Sequence, residues 1–188
     1  MKKYELTSET KVINGVKLHR IKALKSFGNI KKGELGGWIE SEKNLSQYGD
    51  AWVGGNAMVS EDAWVGGNAM VSGNAMVSED AWVDGNAMVS EDAWVGGNSN
   101  VYGNATIIGN AKVRRNADYI VFKNWWSSGR YFTWTRSNNK WMVGCFYGSG
   151  EELIAKAYKD SEKSGREYER VVKYVNDIFK EEYGTKTE

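Results

Sequence analysis

Proline is missing from this chain of 188 residues, and cysteine and histidine occur once each, as Cys145 and His19. A single cysteine excludes an internal disulfide and a multi-cysteine zinc site, and a single histidine excludes most histidine-based metal sites. No apolar run approaches the ~18–20 residues of a transmembrane helix, and the basic start lacks the apolar stretch of a signal peptide. These absences predict a cytoplasmic protein with no metal, no cofactor and no membrane partner.

The charged residues are segregated along the chain, although 25 Lys and Arg nearly balance 24 Asp and Glu. Residues 1–44 and 112–188 contain an excess of bases, whereas residues 45–111 contain eight acidic residues and no Lys or Arg. The near-neutral total therefore does not by itself indicate a nucleic-acid or membrane partner. An acidic middle between basic ends is a feature that a proposed function has to explain.

An aliphatic residue recurs every six positions through the middle of the chain, and a small residue stands two places before each one. The aliphatic positions are Val53, Val59, Val65, Val71, Val77, Val83, Val89, Val95, Val101, Ile107 and Val113. The small positions are Ala51, Ala57, Ala63, Ala69, Ala75, Ala81, Ala87, Ala93, Ser99, Ala105 and Ala111. Asn or Asp precedes every small residue, and so regular a register indicates a repeat fold.

Each hexad has the pattern of a short strand followed by a turn. The aliphatic and the small residue lie two apart and therefore face the same side of an extended segment. The Gly-Asn steps between them suit turns, because both residues tolerate a positive φ. The repeat predicts a parallel β-helix and a fold that is mainly β. It resembles the hexapeptide-repeat left-handed β-helix, in which three hexads form one triangular coil, and this resemblance implies about four coils over residues 47–118.

The segments at both ends are predicted to cover the open ends of this solenoid. Residues 1–46 are predicted to form an N-terminal β cap with a hairpin around Asn14-Gly15. Residues 119–188 are predicted to form a small α+β domain, in which aromatic strands precede helices at about 150–163 and 165–182. Ser149 and Glu152 have the spacing of a capping box at the start of the first helix.

Three stretches resemble a family known largely from phages and prophages. They are the segment 31–46, the recurring Gly-Asn-Ala-x-Val motif of the repeats, and a C-terminal stretch. The C-terminal stretch comprises Ser128-Gly-Arg130, Thr133, Gly144–Ser149 and the Glu-rich helix after them, and it is similar to a module found on phage proteins of unknown function. The resemblance implies a viral setting, in the cytoplasm of an infected or lysogenic bacterial host.

The residue before each inward valine is predicted to point outward, and in the first eight hexads it is Trp or Met. The expected stacked rows are Trp52, Met70 and Met88; Met58, Met76 and Trp94; and Trp64 with Trp82. Exposed apolar surface of this extent usually marks an interface, with a foreign partner or a second copy. Two other interpretations stay open: the rows shield the strands, or the C-terminal domain folds back over one of them.

In three hexads the turn contains a Glu-Asp pair, an acidic step, where the other hexads have Gly-Asn. The pairs Glu61-Asp62 and Glu79-Asp80 are predicted to stack on one side of the solenoid, and Glu91-Asp92 lies on another. They are either solubilising turns or an acidic rod that competes with nucleic acid for a basic groove, because regular negative charge resembles a phosphate backbone. The same charges disfavour direct nucleic-acid binding by the repeats. The basic ends remain suited to such contact, including Lys112, Arg114 and Arg115.

Enzymatic alternatives find little support in the residues. The acyltransferases among hexapeptide-repeat proteins use a histidine as general base near a coil edge, and these coils contain none. Cys145 lies among apolar residues and is predicted to be an ordinary buried side chain.

The leading hypothesis is a non-enzymatic phage or prophage accessory protein that binds a host macromolecule. Its most specific form is an inhibitor of a nucleic-acid-binding defence complex such as a CRISPR effector or nuclease. The alternatives are an acyltransferase-like enzyme and a structural homo-oligomer. The candidate partner-binding residues are Trp52, Trp64, Trp82, Trp94, Met70, Met88, Glu61, Asp62, Glu79, Asp80, Glu91, Asp92, Trp125, Trp126, Arg130 and Tyr131.

Overall fold

The computed structural model describes residues 2–183. Three strands come first, β1 (Tyr4–Ile13), β2 (Val16–Ala23) and β3 (Leu35–Ile39). Eleven two-residue strands follow: β4 (Trp52–Val53), β5 (Met58–Val59), β6 (Trp64–Val65), β7 (Met70–Val71), β8 (Met76–Val77), β9 (Trp82–Val83), β10 (Met88–Val89), β11 (Trp94–Val95), β12 (Asn100–Val101), β13 (Thr106–Ile107) and β14 (Lys112–Val113). The C-terminal part contains β15 (Tyr119–Lys123), β16 (Tyr131–Thr135), β17 (Lys140–Val143), β18 (Phe146–Gly148), α1 (Gly150–Asp160) and α2 (Glu162–Tyr183).

The short strands form a parallel β-solenoid of about four turns, as the repeat predicts. Each strand pairs in parallel with the strand three hexads later, so three faces arise. The first face contains β4, β7, β10 and β13, and the third face contains β6, β9 and β12. The second face contains β5, β8, β11 and β14, and β1, β2 and β3 extend its sheet at the N-terminal end. The fold is therefore mainly β.

The inside of the solenoid is filled by the two columns of small and aliphatic residues. Each residue of both columns is at most 1 % exposed, from Ala51 to Val113. Because a one-residue slip would turn every one of them outward, this apolar pattern fixes the register of the coils. Three hexads per turn follow from pairings such as Val59 with Val77.

The turns at the corners share one backbone conformation. The second residue of each corner between β4 and β14 has a φ between +58° and +71°. Gly occupies most of these positions, since it has no Cβ to clash in the left-handed region. Glu61, Glu79 and Glu91 occupy the others, with φ near +60°. A residue with a side chain is strained there, so a compensating interaction is expected.

The N-terminal end of the solenoid leaves backbone carbonyls without a strand partner. Inside the stack, the N–H of Trp52 donates to the carbonyl of Ala69, one coil later. The equivalent carbonyl of Ala51 has no earlier coil and instead accepts a hydrogen bond of 2.7 Å from the ammonium of the fully buried Lys3. On the third face, the side-chain amide of Asn44 donates to the carbonyl of Ala63 at 2.9 Å. The predicted N-terminal cap thus supplies hydrogen-bond donors to backbone carbonyls that have no strand partner.

At the C-terminal end of the solenoid, the backbone N–H groups are the ones that lack a strand partner. Side-chain oxygens accept from all three faces: Asn116 from the N–H of Asn100 at 2.7 Å, Thr133 from that of Thr106 at 2.9 Å, and Ser137 from that of Lys112 at 2.6 Å. Hydrogen bonds therefore occupy the strand edges at both ends of the solenoid. This prevents edge-to-edge pairing with the strands of another chain.

The C-terminal part has its own apolar core. Strands β15, β16, β17 and β18 form an antiparallel sheet in sequence order, and α1 and α2 pack beside it. Phe132, Trp141 and Val172 are buried together between sheet and helices. The capping box at Ser149 is confirmed: its hydroxyl accepts from the N–H of Glu152 at 3.2 Å. The division into segments 1–46, 47–118 and 119–188 stays a prediction.

Candidate protein-binding surface

The outward rows stack as predicted. For Trp64, Trp82 and Trp94, the residue two positions later decides how far the indole lies exposed. The indole of Trp64 lies over the corner at Gly66, where an added Cβ would come within 1.9 Å of the ring. Trp94 lies over Gly96 in the same way. Trp82 is followed by Asp84 instead, and its side chain remains 53 % exposed. Glycine at this position thus leaves room for the indole to pack over the next corner. Trp82 has Asp84 there, so its indole stays exposed.

The third face presents two tryptophans in contact. The rings of Trp64 and Trp82, on paired strands one coil apart, have centroids 5.0 Å apart and an interplanar angle of 44°. Trp64 is half-buried, whereas Trp82 is exposed. We call these two residues the tryptophan pair. It offers a partner a broad apolar contact that costs little side-chain entropy to order.

An acidic corner lies between the second and third faces, next to the tryptophan pair. It consists of Glu61, Asp62, Glu79 and Asp80, which are all exposed and stack in two rows one coil apart. Asp62 makes an ion pair of 2.8 Å with Lys43, and this hydrogen bond raises the pKa of the lysine. Asp80 makes no hydrogen bond or ion pair within residues 2–183.

The glutamates of the acidic corner also have a structural role that the sequence did not reveal. The Glu61 carboxylate accepts a hydrogen bond of 2.6 Å from the N–H of Glu79, and the Glu79 carboxylate accepts one from the N–H of Gly97. Each glutamate therefore ties its own coil to the next. The signal for this was the replacement of Gly by Glu at the left-handed turn position. Asp62 already pairs with Lys43, so Asp80 is the carboxylate best placed for a partner.

The second face is covered in part by the N-terminal hairpin. Ile13, Val16 and Leu18, near the hairpin tip, line a cavity of about 280 Å³ with Met76 and Trp94. The indole N–H of Trp94 donates to the hydroxyl of Ser78 at 3.1 Å, and the Arg114 guanidinium lies 4.9 Å from the Trp94 ring. Trp94 is therefore half-buried and engaged within the chain. Sequence analysis missed the hairpin tip as a neighbour of this row.

The first face corrects one predicted site residue. Trp52 was expected outside, yet it is 1 % exposed, with its ring in edge contact with Tyr4 and Phe27. The strand alternation does place it on the outer side of β4, but the N-terminal cap covers that side. Met70 is half-buried, and Met88 is 44 % exposed.

The first face also leads to the remaining acidic step. Glu91 and Asp92 are exposed at the corner that follows Met88, separate from the acidic corner. The side-chain amide of Asn74 donates to the Asp92 carboxylate at 3.0 Å, and the Glu91 carboxylate accepts the N–H of Gly109 at 2.9 Å. This step thus repeats the tie between neighbouring coils.

The predicted C-terminal site residues are divided between surface and core. Trp125 is 72 % exposed, and Arg130 and Tyr131 are also exposed. Trp126 is 8 % exposed and packs edge-on against Tyr168 at 4.9 Å, so its assignment to an accessible surface is wrong. The structure does not bring these residues together with the acidic corner into one site.

Two residues that matter for enzymatic alternatives lie far from the coils in sequence. His19 is half-buried on β2, where it pairs with Ile39 of β3. Cys145 is exposed in the turn between β17 and β18, so the prediction that it is buried is wrong. Apolar neighbours in sequence did not bury it, because the tight turn at Gly144 points it away from the core.

Residues 2–183 contain no group of three or more His, Cys, Asp and Glu side chains arranged to hold a metal ion. Among the same residues, neither α1 nor α2 combines the length and the apolar character needed to cross a bilayer.

Comparison with known proteins agrees with the fold. The model of the YdcK beta solenoid repeat family matches residues 51–67, slightly less than one coil. No curated protein matches the chain. The matched segment includes β4, β5 and β6, one strand from each face. The repeat and the observed coils together make this chain a β-solenoid repeat protein.

Proposed function

We propose that this chain is a non-enzymatic phage or prophage protein that binds a basic surface of a host macromolecule. The acidic corner and the tryptophan pair form the contact. The partner in the most specific form of the proposal is a nucleic-acid-binding defence complex, such as a CRISPR effector or nuclease, which the bound chain inhibits.

One observation supports this proposal above the others: Trp82 is exposed directly beside a row of carboxylates. A solvated solenoid does not need an exposed indole, and the other tryptophans of the repeat lie over glycines or under the N-terminal cap. Tryptophan is among the residues most often found to dominate binding energy at interfaces. An exposed indole flanked by charge matches the usual arrangement of an apolar anchor with a polar rim.

The charge distribution favours a basic partner. Residues 45–111 contain eight acidic residues and no base, so the solenoid presents a negative surface. Such a surface attracts and orients a groove built to receive phosphates. It repels nucleic acid itself, and the proposed partner is therefore a protein that handles nucleic acid.

Two competing functions receive less support. An acyltransferase needs a base near the reacting hydroxyl or amine, and the only histidine of the chain lies on β2 instead of in the coils. End-to-end oligomers would need open sheet edges, which Lys3, Asn44, Thr133 and Ser137 close. Side-by-side pairing through the tryptophan pair is the remaining structural alternative, and size measurement tests it.

The proposal is tested by capture from bacterial host lysate with the immobilised chain, followed by mass spectrometry. Parent protein is compared with Trp82→Ser and with Asp62→Asn/Asp80→Asn. Tyr48→Ser is the matched control for an exposed aromatic residue, since Tyr48 is 85 % exposed on another corner. Asp160→Asn/Asp177→Asn removes two exposed charges from the C-terminal helices.

The expected result is a basic, nucleic-acid-binding partner that the parent and both controls capture, that Trp82→Ser loses, and that Asp62→Asn/Asp80→Asn holds less well at low salt. The proposal fails if Trp82→Ser captures the same proteins as the parent. It also fails if the parent forms a dimer in solution that Trp82→Ser converts to a monomer while no host protein is captured.

A further inference from the structure

A groove lies beside the last corner between the third face and the first, where the solenoid meets the C-terminal sheet. Tyr102, Gly103 and Asn104 of that corner line it together with Asn116, Tyr131 and part of β15, and its volume is about 510 Å³. A Cβ added at Gly103 would meet no atom within 4 Å. At Gly85, one coil earlier, it would lie 2.8 Å from the backbone nitrogen of Gly103. The last corner is therefore open where each earlier corner is covered by the next coil.

This open corner retains hydrogen-bonding groups that the earlier corners use among themselves. The N–H of Asn68 donates to the carbonyl of Gly85, and the N–H of Asn86 donates to the carbonyl of Gly103, both at 2.7 Å. Asn104 has the equivalent position but no following coil. Within residues 2–183, neither its N–H nor its side-chain amide makes a hydrogen bond. Asn104 therefore offers the groove donors and an acceptor at one place.

Two tyrosine rings and a second amide line the same groove. Tyr102 is 64 % exposed and Tyr131 is 45 % exposed, and neither hydroxyl has a hydrogen-bond partner in the described part of the chain. The side-chain oxygen of Asn116 accepts the N–H of Asn100 at 2.7 Å. This hydrogen bond orients the Asn116 side chain, whose NH₂ group makes no hydrogen bond to another described residue.

The lining of the groove is uncharged: none of the described residues that form it is Lys, Arg, Asp or Glu. One cation borders it, because the Lys123 ammonium lies 5.7 Å from the centroid of the Tyr131 ring. The Asp84 carboxylate, one coil before Tyr102, accepts the N–H of Gly85 at 2.7 Å and lies on the side of the preceding coil, against Gly67. A polyanion binds through several cations, so this lining suits a neutral ligand better.

We propose that the groove binds a neutral oligosaccharide. A sugar ring has an apolar C–H face and a rim of hydroxyl groups. The negative face of an aromatic ring attracts polarised C–H groups, so Tyr102 and Tyr131 provide stacking surfaces. Each sugar hydroxyl donates and accepts, which matches the amides of Asn104 and Asn116. An aromatic lining with a few polar groups between two structural units is a frequent kind of ligand site.

Two other ligand classes fit the groove less well. A purely apolar ligand would displace water from the amides of Asn104 and Asn116 without replacing its hydrogen bonds, which is costly. An extended peptide could pair with β15, which is the edge strand of the C-terminal sheet. Such pairing uses backbone groups and has no need of the two exposed tyrosine rings. The peptide is therefore a competing ligand that the experiment includes.

The experiment measures binding of maltotetraose, cellotetraose and chitotetraose to the full chain by saturation-transfer difference NMR, each at 2 mM. Calorimetric titration then gives the dissociation constant of the probe with the strongest signal. The variants are Tyr102→Ala and Asn104→Ala. Tyr48→Ala is the matched control, since Tyr48 has the same turn position three coils earlier and is 85 % exposed. Thermal melts establish that each variant is folded.

We expect the parent to bind at least one of the three tetrasaccharides. Tyr102→Ala should raise its dissociation constant about fivefold through the lost stacking. Asn104→Ala should raise it about threefold through the lost hydrogen bonds. Tyr48→Ala should stay within twofold of the parent, and inorganic phosphate should not compete.

Three results would overturn the proposal: no signal from any tetrasaccharide with the parent, equal losses for Tyr102→Ala and Tyr48→Ala, or tighter binding of tetra-alanine or adenosine than of every saccharide. The inference does not rest on the proposed protein partner. Trp82→Ser leaves every residue of the groove in place, so loss of host-protein capture by that variant is distinguishable from loss of saccharide binding by Tyr102→Ala.

Discussion

Glu61 and Glu79 are joined across adjacent coils by a hydrogen bond of 2.6 Å, in which the carboxylate of the first accepts the backbone N–H of the second. Both residues have a left-handed φ that normally favours glycine. The hydrogen bond stabilises a turn that the side chain itself strains. The acidic corner is therefore a structural element as well as a negative surface.

This relationship predicts different effects on stability for two substitutions of Glu61. Glu61→Ala keeps the strained φ and loses the acceptor, so it should lower the free energy of unfolding by about 1 kcal/mol. Glu61→Gly loses the same acceptor but relieves a strain of ~1–2 kcal/mol, so it should be nearly neutral. Urea denaturation measures both. A glycine variant less stable than the alanine variant would show that the turn is not strained.

The glycine beneath Trp64 predicts a second pair of outcomes. Gly66→Ala would place a Cβ 1.9 Å from the ring and should push the indole outward, with a red-shifted fluorescence and a loss of about 1 kcal/mol of stability. Gly54→Ala is the control, because its Cβ would lie 3.6 Å from Trp52, at ordinary contact distance. Asp84→Gly should have the opposite effect and let Trp82 settle on its corner. Identical emission spectra for Gly66→Ala and the parent would contradict this explanation.

The lowered pKa of the buried Lys3 ammonium predicts how stability depends on pH. Burial lowers the pKa of its ammonium to about 8, although Asp50 partly opposes this. Between pH 8 and the ordinary lysine pKa of 10.5 the unfolded chain binds more protons than the folded chain, so the contribution of Lys3 to stability rises with pH and is lost as pH falls through 8.

The measurement for Lys3 is urea denaturation of the parent and of Lys3→Met at pH 7.0 and 9.5. The parent should gain about 1–2 kcal/mol relative to the variant over this interval. Lys2→Met is the control, since Lys2 is exposed and ion-paired with Glu42 at 2.6 Å. The buried ammonium does not titrate in this range if the difference in free energy of unfolding between the parent and Lys3→Met is the same at both pH values. The same conclusion follows if the difference between the parent and Lys2→Met increases equally.

The sequence was sufficient for the solenoid and insufficient for its outer surface. Periodicity decides which side of a strand a residue occupies, so Val77 and its equivalents were predicted correctly as core. It does not decide what covers the other side, and Trp52 is buried there by Tyr4 and Phe27 from the N-terminal cap. The ion pairs of Arg115 and Arg136 with Asp118 were missed for the same reason, because the repeat pattern does not show which segments meet.

The central claim is that the tryptophan pair anchors a partner which the acidic corner attracts. Surface-based binding kinetics against the captured partner, at 50 and 150 mM salt, test it most directly. Trp82→Ser should raise the dissociation rate about thirtyfold at both salts, as expected for an anchor worth ≥2 kcal/mol. Asp62→Asn/Asp80→Asn should mainly slow association, by a factor that shrinks at the higher salt. Rates equal to those of the parent for both variants would contradict the claim and leave the solenoid as a spacer.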